Sequence, residues 1–310
     1  MPQSTSNILM IRPVNFQMNA ETAVNNFFQK KLKLSSEEIN TKAQNEFDNF
    51  VKVLRNSDIN VYVYEDILEN RTPDSIFPNN WVSFHHSGNV ALYPMFAPNR
   101  RRERRMDLLE SLEEEGFVFK EVYDYTRAED EMVFLEGTGS IILDRENRKA
   151  YCALSPRANE ELFIEFCEDF EYMPISFIAN QTVNGDRLPI YHTNVMMCVG
   201  EKIAVVCFDS IDDKKHKQLV SESLLDDEKT IINITEDQMH KFAGNMLEVK
   251  SNSGKSYLVM STTAYNALST EQIEDIEKHL EILHSPIPTI ETLGGGSARC
   301  MMAEIFNPKV

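Results

Sequence analysis

Short apolar runs alternate with polar turns along the chain in a repeating order. Asn80–Phe84 (NWVSF) is followed by the turn HHSGN and a second apolar run, VALYPM. The order recurs at Gly139 (GSIILD, RENR, KAYCALS), at Asn194 (NVMMCV, GEK, IAVVCF) and at Asn245 (NMLEVK, SNSGK, SYLVMS). Each copy predicts a strand, a turn and a second strand. The opening positions lie 59, 55 and 51 residues apart, a period that rings and arrays of similar units produce. Helices are predicted after the hairpins. Arg102–Glu115 ends at Gly116, a residue suited to a helix C-terminus. Asn159–Tyr172 carries Leu162, Phe163, Phe166 and Phe170 on one face. Asp212–Leu225 follows the third hairpin. Thr270–Leu283 follows the fourth, with Ser269 and Gln272 in capping-box register.

A fifth unit can be assembled from both ends of the chain. Ile8–Arg12 and Ser297–Phe306 are apolar and strand-like, and Ser36–Arg55 supplies the helix, with Ser35 and Glu38 in capping-box register. The expectation is an α/β ring of five strand–strand–helix units closed by the termini, which removes exposed sheet edges. No Pro/Gly/Ser-rich linker divides it, so residues 1–310 are read as one domain. In such a ring the residues just before the first strands converge. Asp74–Asn80, Glu136–Ser140, His192–Asn194 and Gly294–Cys300 are then expected neighbours.

Composition narrows the classes. Among 310 residues, 31 Lys+Arg against 49 Asp+Glu give a net charge of −18. That disfavours a nucleic-acid grip, which needs basic surface to release counterions. Five cysteines are too sparse and odd in number for a disulfide scaffold. The N-terminus lacks a signal-peptide pattern, and no apolar run approaches membrane-spanning length. The expectation is a cytoplasmic protein with reduced thiols and no membrane or nucleic-acid partner.

Cys300 follows LGGGSAR, a loop whose glycines permit close backbone approach. A free cysteine is more often a small core residue, and burial is the expectation for Cys152, Cys167, Cys198 and Cys207. His192 in YHTNV stands at a strand mouth, where a side chain titrating near neutrality can move protons. His85, His86, His216, His240, His279 and His284 are read as solvated. Glu136 in FLEGTGS could orient an imidazole. Any one of Cys300, His192 and Glu136 has an ordinary structural reading; together they occupy equivalent mouths of three units. Ser253–Ser256 (SGKS) is half a P-loop, but Val249 stands where the upstream glycine belongs. No metal-ligand spacing is present, and neither metal nor cofactor is expected. The basic run Arg100–Arg105 is read as a mostly solvated face that opens a helix.

The stretches PDSIF (73–77), FAPNRRRE (96–103), LEGTGS (135–140), SPR (155–157), YHTNV (191–195) and GGGSARC (294–300) together resemble the guanidino-group-modifying enzymes, or penteins. The resemblance is to the dimethylarginine dimethylaminohydrolase branch, to amidinotransferases and to bacterial citrulline-utilisation hydrolases. It implies a five-bladed α/β propeller and a single pentein catalytic domain over residues 1–310. It further implies Cys300 as nucleophile, His192 as general acid/base and Glu136 as its orienting carboxylate. Asp74, Arg100 and Arg157 would hold the amino-acid end of a substrate, with the inward-pointing arginine of 100–102 undecided. Acids of the family pattern are missing: Asn79, Asn80, Gly139 and Asn194 stand in their places. Asn79, Asn80 and Asn194 are therefore expected to contact a head group that is neutral, because amides donate and accept. The expected activity is cysteine-dependent hydrolysis at the guanidino or ureido carbon of an arginine- or citrulline-like amino acid. The alternatives are an amidinotransferase with an amine acceptor and a non-catalytic pentein binding protein. Oligomeric state is left open.

Overall fold

The computed structural model describes residues 1–310. Five three-stranded sheets share one pattern, in which the second strand pairs antiparallel to the first and parallel to a third. The first unit comprises Val82–Phe84, Val90–Leu92 and Val122–Asp124. The second comprises Ile141–Asp144, Lys149–Ala153 and Met173–Phe177. The third comprises Met197–Val199, Ile203–Val206 and Thr230–Asn233. The fourth comprises Leu247–Lys250, Ser256–Ser261 and Glu281–Ser285. The fifth joins the chain ends: Ala303–Glu304 pairs antiparallel with Asn7–Arg12, which pairs parallel with Asn60–Glu65. A separate hairpin, Asn180–Val183 with Asp186–Pro189, makes a sixth sheet. No sheet closes on itself.

Each unit is thus strand–strand–helix–strand, not strand–strand–helix. The expected helix Thr270–Leu283 stops at Glu277, and its tail becomes the parallel strand Glu281–Ser285. The expected helix from Arg102 is a 3₁₀ turn at Arg100–Glu103 followed by a helix at Asp107–Glu114. Ser36–Asn56, Glu160–Asp169 and Lys214–Asp226 form within a few residues of the expected bounds. Asn159 and Asp213 accept backbone N–H bonds as N-caps, and Ser35–Glu38 forms its capping box, each worth about 1 kcal/mol.

The sheets are buried on both faces, as alternation in the second unit shows. Ile142, Tyr151 and Ala153 join an apolar cluster shared with the third unit. Ile141, Leu143, Ala150 and Cys152 join another shared with the first. Side chains alternate across a strand, so one sheet serves two cores. Between these units Lys229 and Asp144 form a fully buried ion pair of 3.0 Å, with Lys229 also donating to the Gly200 and Glu201 carbonyls. Such a pair is strongly destabilising to break from one side.

Short helical turns precede four of the first strands: Pro78–Asn80, Gly137–Ser140, Thr193–Val195 and Ala298–Met301. The first touches the second and the fourth, and the second touches the third. Asn80, Gly139 and Asn194, which open their units, lie on these turns, and the run Ser297–Phe306, expected to be strand-like, is a turn at Ala298–Met301 before the strand Ala303–Glu304. No helix is long and apolar enough to cross a membrane.

Candidate active site

The turns place chemistry-bearing side chains at one point. Asp74, Asn80, Arg100, Arg157, His192 and Cys300 line a single enclosed cavity with Asn26, Phe77, Tyr191, Gly294 and Gly296. Its volume is about 10 Å³, room for one water molecule. A larger open groove of about 510 Å³ on the molecule carries none of the expected site residues.

His192 Nε2 meets Glu136 Oε2 at 2.7 Å, and both side chains are buried. Glu136 Oε1 accepts the Phe96 N–H at 2.9 Å, and Arg157 lies 3.5 Å from Oε2. Burial opposes the Glu136 charge, but Arg157, the His192 hydrogen bond and Arg100 outweigh it, so its pKa falls well below the usual carboxylate range. Burial, with the Arg157 and Arg100 charges adding to it, pushes His192 down to about 4 despite Glu136. At neutral pH the imidazole is therefore uncharged. Nε2 carries the proton toward Glu136, and Nδ1 presents a lone pair.

Nδ1 explains Gly139. A Cβ built there would lie 2.8 Å from His192 Nδ1 and against Asn80 Nδ2. The Asn80 amide occupies the space an acidic side chain at 139 would need. Gly139→Ala is expected to destabilise by about 1–3 kcal/mol through overpacking. Combined with Asn80→Ala, the loss should be smaller than the sum of the singles. Denaturant midpoints of the four proteins check this, and additive losses would remove Asn80 as the cause.

Arg100 is the inward-pointing arginine of its run, while Arg101, Arg102, Arg104 and Arg105 keep exposed surface, in line with a mostly solvated face. Its Nε and Nη2 donate to Glu103 at 2.9 and 2.8 Å, and Nη1 donates to Asn80 Oδ1 at 2.8 Å. Burial works against its charge, yet Glu103, Asp74 and Glu136 hold its pKa above the ordinary value. Asp74 Oδ2 lies 3.8 Å from Arg100 Nε, and burial raises the Asp74 pKa against the pull of Arg100. Arg157 packs over the Tyr191 ring at 5.0 Å.

One segment of the chain covers these groups. Asn19 Nδ2 and Thr22 Oγ1 donate to Asp74 Oδ2 at 2.8 and 3.2 Å. Arg157 donates to the Thr22 carbonyl at 3.0 Å and to Asn25 Oδ1 at 2.9 Å. Asn26 and Gln29 donate to the Gly294 carbonyl at 3.2 Å. A carboxylate and a guanidinium expected to hold an amino acid thus carry the protein's own amides and carbonyl.

The Cys300 sulfur receives Asn194 Nδ2 at 3.3 Å and Asn245 Nδ2 at 3.2 Å. Several buried polar atoms here have no partner: Asp74 Oδ1, Asn80 Nδ2, Asn194 Oδ1 and both side-chain atoms of Asn79. Buried polar groups are normally satisfied, so these atoms are able to meet a polar guest. Asn79 and Asn194, expected to contact a substrate, are buried but do not line the cavity, and neither does Glu136.

Sequence reasoning missed Glu103, Asn245 and the covering residues Asn19, Thr22, Asn25 and Asn26. Glu103 carried a signal as the i+3 partner of Arg100, and Asn245 as the repeat equivalent of Asn80 and Asn194. The covering segment carried none. His85 is not solvated: it is 4% exposed, bonds Ser83 Oγ at 2.8 Å and stacks on Phe170 at 4.0 Å. The other four cysteines are buried as expected, and burial raises the thiol pKa at Cys152, Cys167, Cys198 and Cys207.

Comparison with solved structures finds the same fold. ArgZ, an arginine dihydrolase from the ornithine-ammonia cycle in cyanobacteria, matches with a TM-score of 0.74 and 17% identity over 98% of this chain. This chain spans 41% of that protein. The N-terminal domain of ArgZ alone, a cysteine-to-serine mutant bound to substrate, matches with a TM-score of 0.72 and 17% identity, covering 98% of this chain and 99% of the domain. A dimethylarginine dimethylaminohydrolase, as a histidine-to-glycine adduct with S-methyl-L-thiocitrulline, matches with a TM-score of 0.63 and 13% identity over 96% of this chain and 99% of that one. Among curated proteins no sequence match was found. The model of the family "N,N dimethylarginine dimethylhydrolase, eukaryotic" matches residues 12–307, nearly the whole chain. With an α/β fold shared with these solved structures and a family match of that length, the chain belongs to the N,N dimethylarginine dimethylhydrolase family.

Proposed function

We propose that residues 1–310 form one catalytic domain, a five-bladed α/β propeller, and that it is a cysteine-dependent hydrolase of arginine- or citrulline-like amino acids. Contacts that pass from each unit to the next and from the fifth back to the first support the ring. The observation that carries the function is the shared cavity of Cys300, the His192–Glu136 pair and the oppositely charged Asp74 and Arg157. Asp74 and Arg157 match the ammonium and carboxylate of an amino acid, and Arg can hold a carboxylate bidentately. The ends of Asn19, Thr22 and Asn25 would leave them as the substrate arrives.

The Cys300 sulfur attacks the planar carbon of the head group, and its proton passes to His192 Nδ1. The bond from that carbon to the leaving nitrogen breaks, and His192 returns the proton to it. Water then attacks the sulfur adduct, His192 takes a proton from it, and the carbon–sulfur bond breaks to restore the thiol. Arginine losing ammonia gives citrulline. Citrulline losing its alkyl amine gives ornithine and carbamate.

The head-group surroundings favour the neutral ureido form. Both oxygens of Glu136 are engaged by Phe96, His192 and Arg157, and Asn80, the asparagine of the three that lines the cavity, adds no charge. A guanidinium leaving water needs a compensating anion; a ureido group needs donors and acceptors. Arginine as substrate is the second reading, favoured by the activity named for ArgZ. Product analysis with arginine, methylated arginines, agmatine and citrulline tests the function, and a comparison of kcat/KM separates the readings. Citrulline is expected to exceed arginine, and Asn79→Asp with Asn194→Asp should move preference toward the cation. A tenfold or greater preference of the parent for arginine, about 1.4 kcal/mol of transition-state binding, would establish the second reading instead. No turnover of any of these by the intact chain would remove the hydrolase assignment.

A further inference from the structure

We infer that Asn245, acting with Asn194, stabilises the negative charge that the Cys300 sulfur takes on as its proton passes to His192, so that these two amides position the nucleophile rather than the substrate. The role rests on Cys300 being the nucleophile, as proposed above. A thiolate in a nearly dry cavity needs donors or a cation. Arg100, Arg157 and Asp74 line the same cavity, but Arg100 is engaged by Glu103 and Asn80 and Arg157 by Thr22 and Asn25. His192 is uncharged at neutral pH until it takes that proton. Arg299, adjacent in the chain, turns away to donate to the Met302 carbonyl at 3.0 Å and Glu304 Oε2 at 3.1 Å. What reaches the sulfur is a pair of amide N–H groups, from Asn194 at 3.3 Å and Asn245 at 3.2 Å. Hydrogen bonds that favour the charged form lower a thiol pKa.

The orientation of Asn245 is fixed by its other contacts. Its Oδ1 accepts the Arg299 N–H at 3.0 Å, and its Nδ2 also donates to the Asn194 carbonyl at 2.9 Å. A flipped amide would set N–H against N–H at Arg299 and oxygen against oxygen at Asn194. The amide hydrogens therefore face the sulfur. Asn194 is held less: its Oδ1 has no partner. The pair opens consecutive units at equivalent positions, while Asn80, opening the first, turns its oxygen to Arg100 instead.

The test is the pH dependence of Cys300 alkylation by iodoacetamide in the full chain, followed by mass spectrometry of the Cys300 peptide. Thermal melts confirm that each variant is folded. Asn245→Ala should raise the apparent thiol pKa by about one unit and slow alkylation at pH 7 about tenfold. Asn245→Asp keeps the acceptor for the Arg299 N–H but sets an oxygen against the sulfur, and should raise the pKa at least as far. A merely structural role predicts the reverse order, with Asn245→Asp close to the parent. That order, or an unshifted Asn245→Ala, overturns the assignment. If neither variant folds, Asn194→Ala decides: a raised pKa upholds the amide pair and an unshifted one overturns it. Alkylation needs no turnover. A chain that hydrolyses none of the substrates above would still give these curves, so the two readings fail separately.

Discussion

Cys300→Ala is expected to abolish turnover while leaving the fold intact. Removing a nucleophile costs on the order of 10⁶ in rate where the remaining residues act with it as a unit. Stability should change little: Cys300 belongs to an apolar cluster, but it borders an existing cavity, so deleting one atom enlarges that cavity slightly instead of opening a new one. The main structural loss is the acceptor for the Asn194 and Asn245 amides. Cys300→Ser retains an acceptor and should melt closer to the parent, still without turnover. The same change to Ala at Cys198 or Cys207, both within an apolar cluster, should lower the melting temperature more and the rate less. A product assay and a thermal melt on each protein check the set. Full activity in Cys300→Ala would end the covalent mechanism.

His192→Ala should lower the rate by roughly 10²–10⁴, the range for loss of a positioned proton-transfer group. The pH profile gives a sharper test. The pKa of His192 is pushed down to about 4, so the acid limb of kcat/KM in the parent should lie near pH 4 and not near the ordinary histidine value of 6.5. Stability follows the same shift. The unfolded chain binds a proton at this site below about pH 6.5, while the folded protein refuses it until about pH 4. This contribution therefore falls as the pH drops through that window, and His192→Ala should flatten that part of the stability curve. An acid limb at pH 6.5 in the parent would show that Glu136 and burial are balanced otherwise.

The fold was legible where local pattern and tertiary need agree. The hairpins could be read because each pairs residues a few positions apart, and the helices from an apolar face or from the capping boxes at Ser35 and Ser269; Asn159 and Asp213 also cap theirs. The third strands were not. Their parallel pairing is non-local, and sequences such as Glu281–Ser285 (EILHS) are only partly buried, so no alternation announces them. Leu280 and Leu283 extend a helical spacing past Glu277 with no Gly or Pro to stop it, and only the parallel partner Tyr257–Ser261 decides the outcome. The site was legible from equivalent positions in the repeat, which is why Cys300, His192 and Asn80 meet. Asn245 occupied such a position without standing out, since an asparagine before a strand reads as a turn residue. The covering segment around Asn19–Asn26 has neither period nor motif; only the groups it satisfies reveal its place.

The fifth unit has a consequence for how activity is gained. Its first strand, Ala303–Glu304, finds its partner in Ile8 and Leu9, across a separation of about 300 residues. Loop-closure entropy opposes so distant a pairing, and contacts of high sequence separation form slowly. The turn that carries Cys300 immediately precedes this strand. The Cys300 sulfur is therefore expected to reach its place late, once residues 7–12 have met residues 303–304. Before that pairing the turn that carries it has no strand to anchor its far side. Assembly of the candidate site would then wait on this long-range pairing.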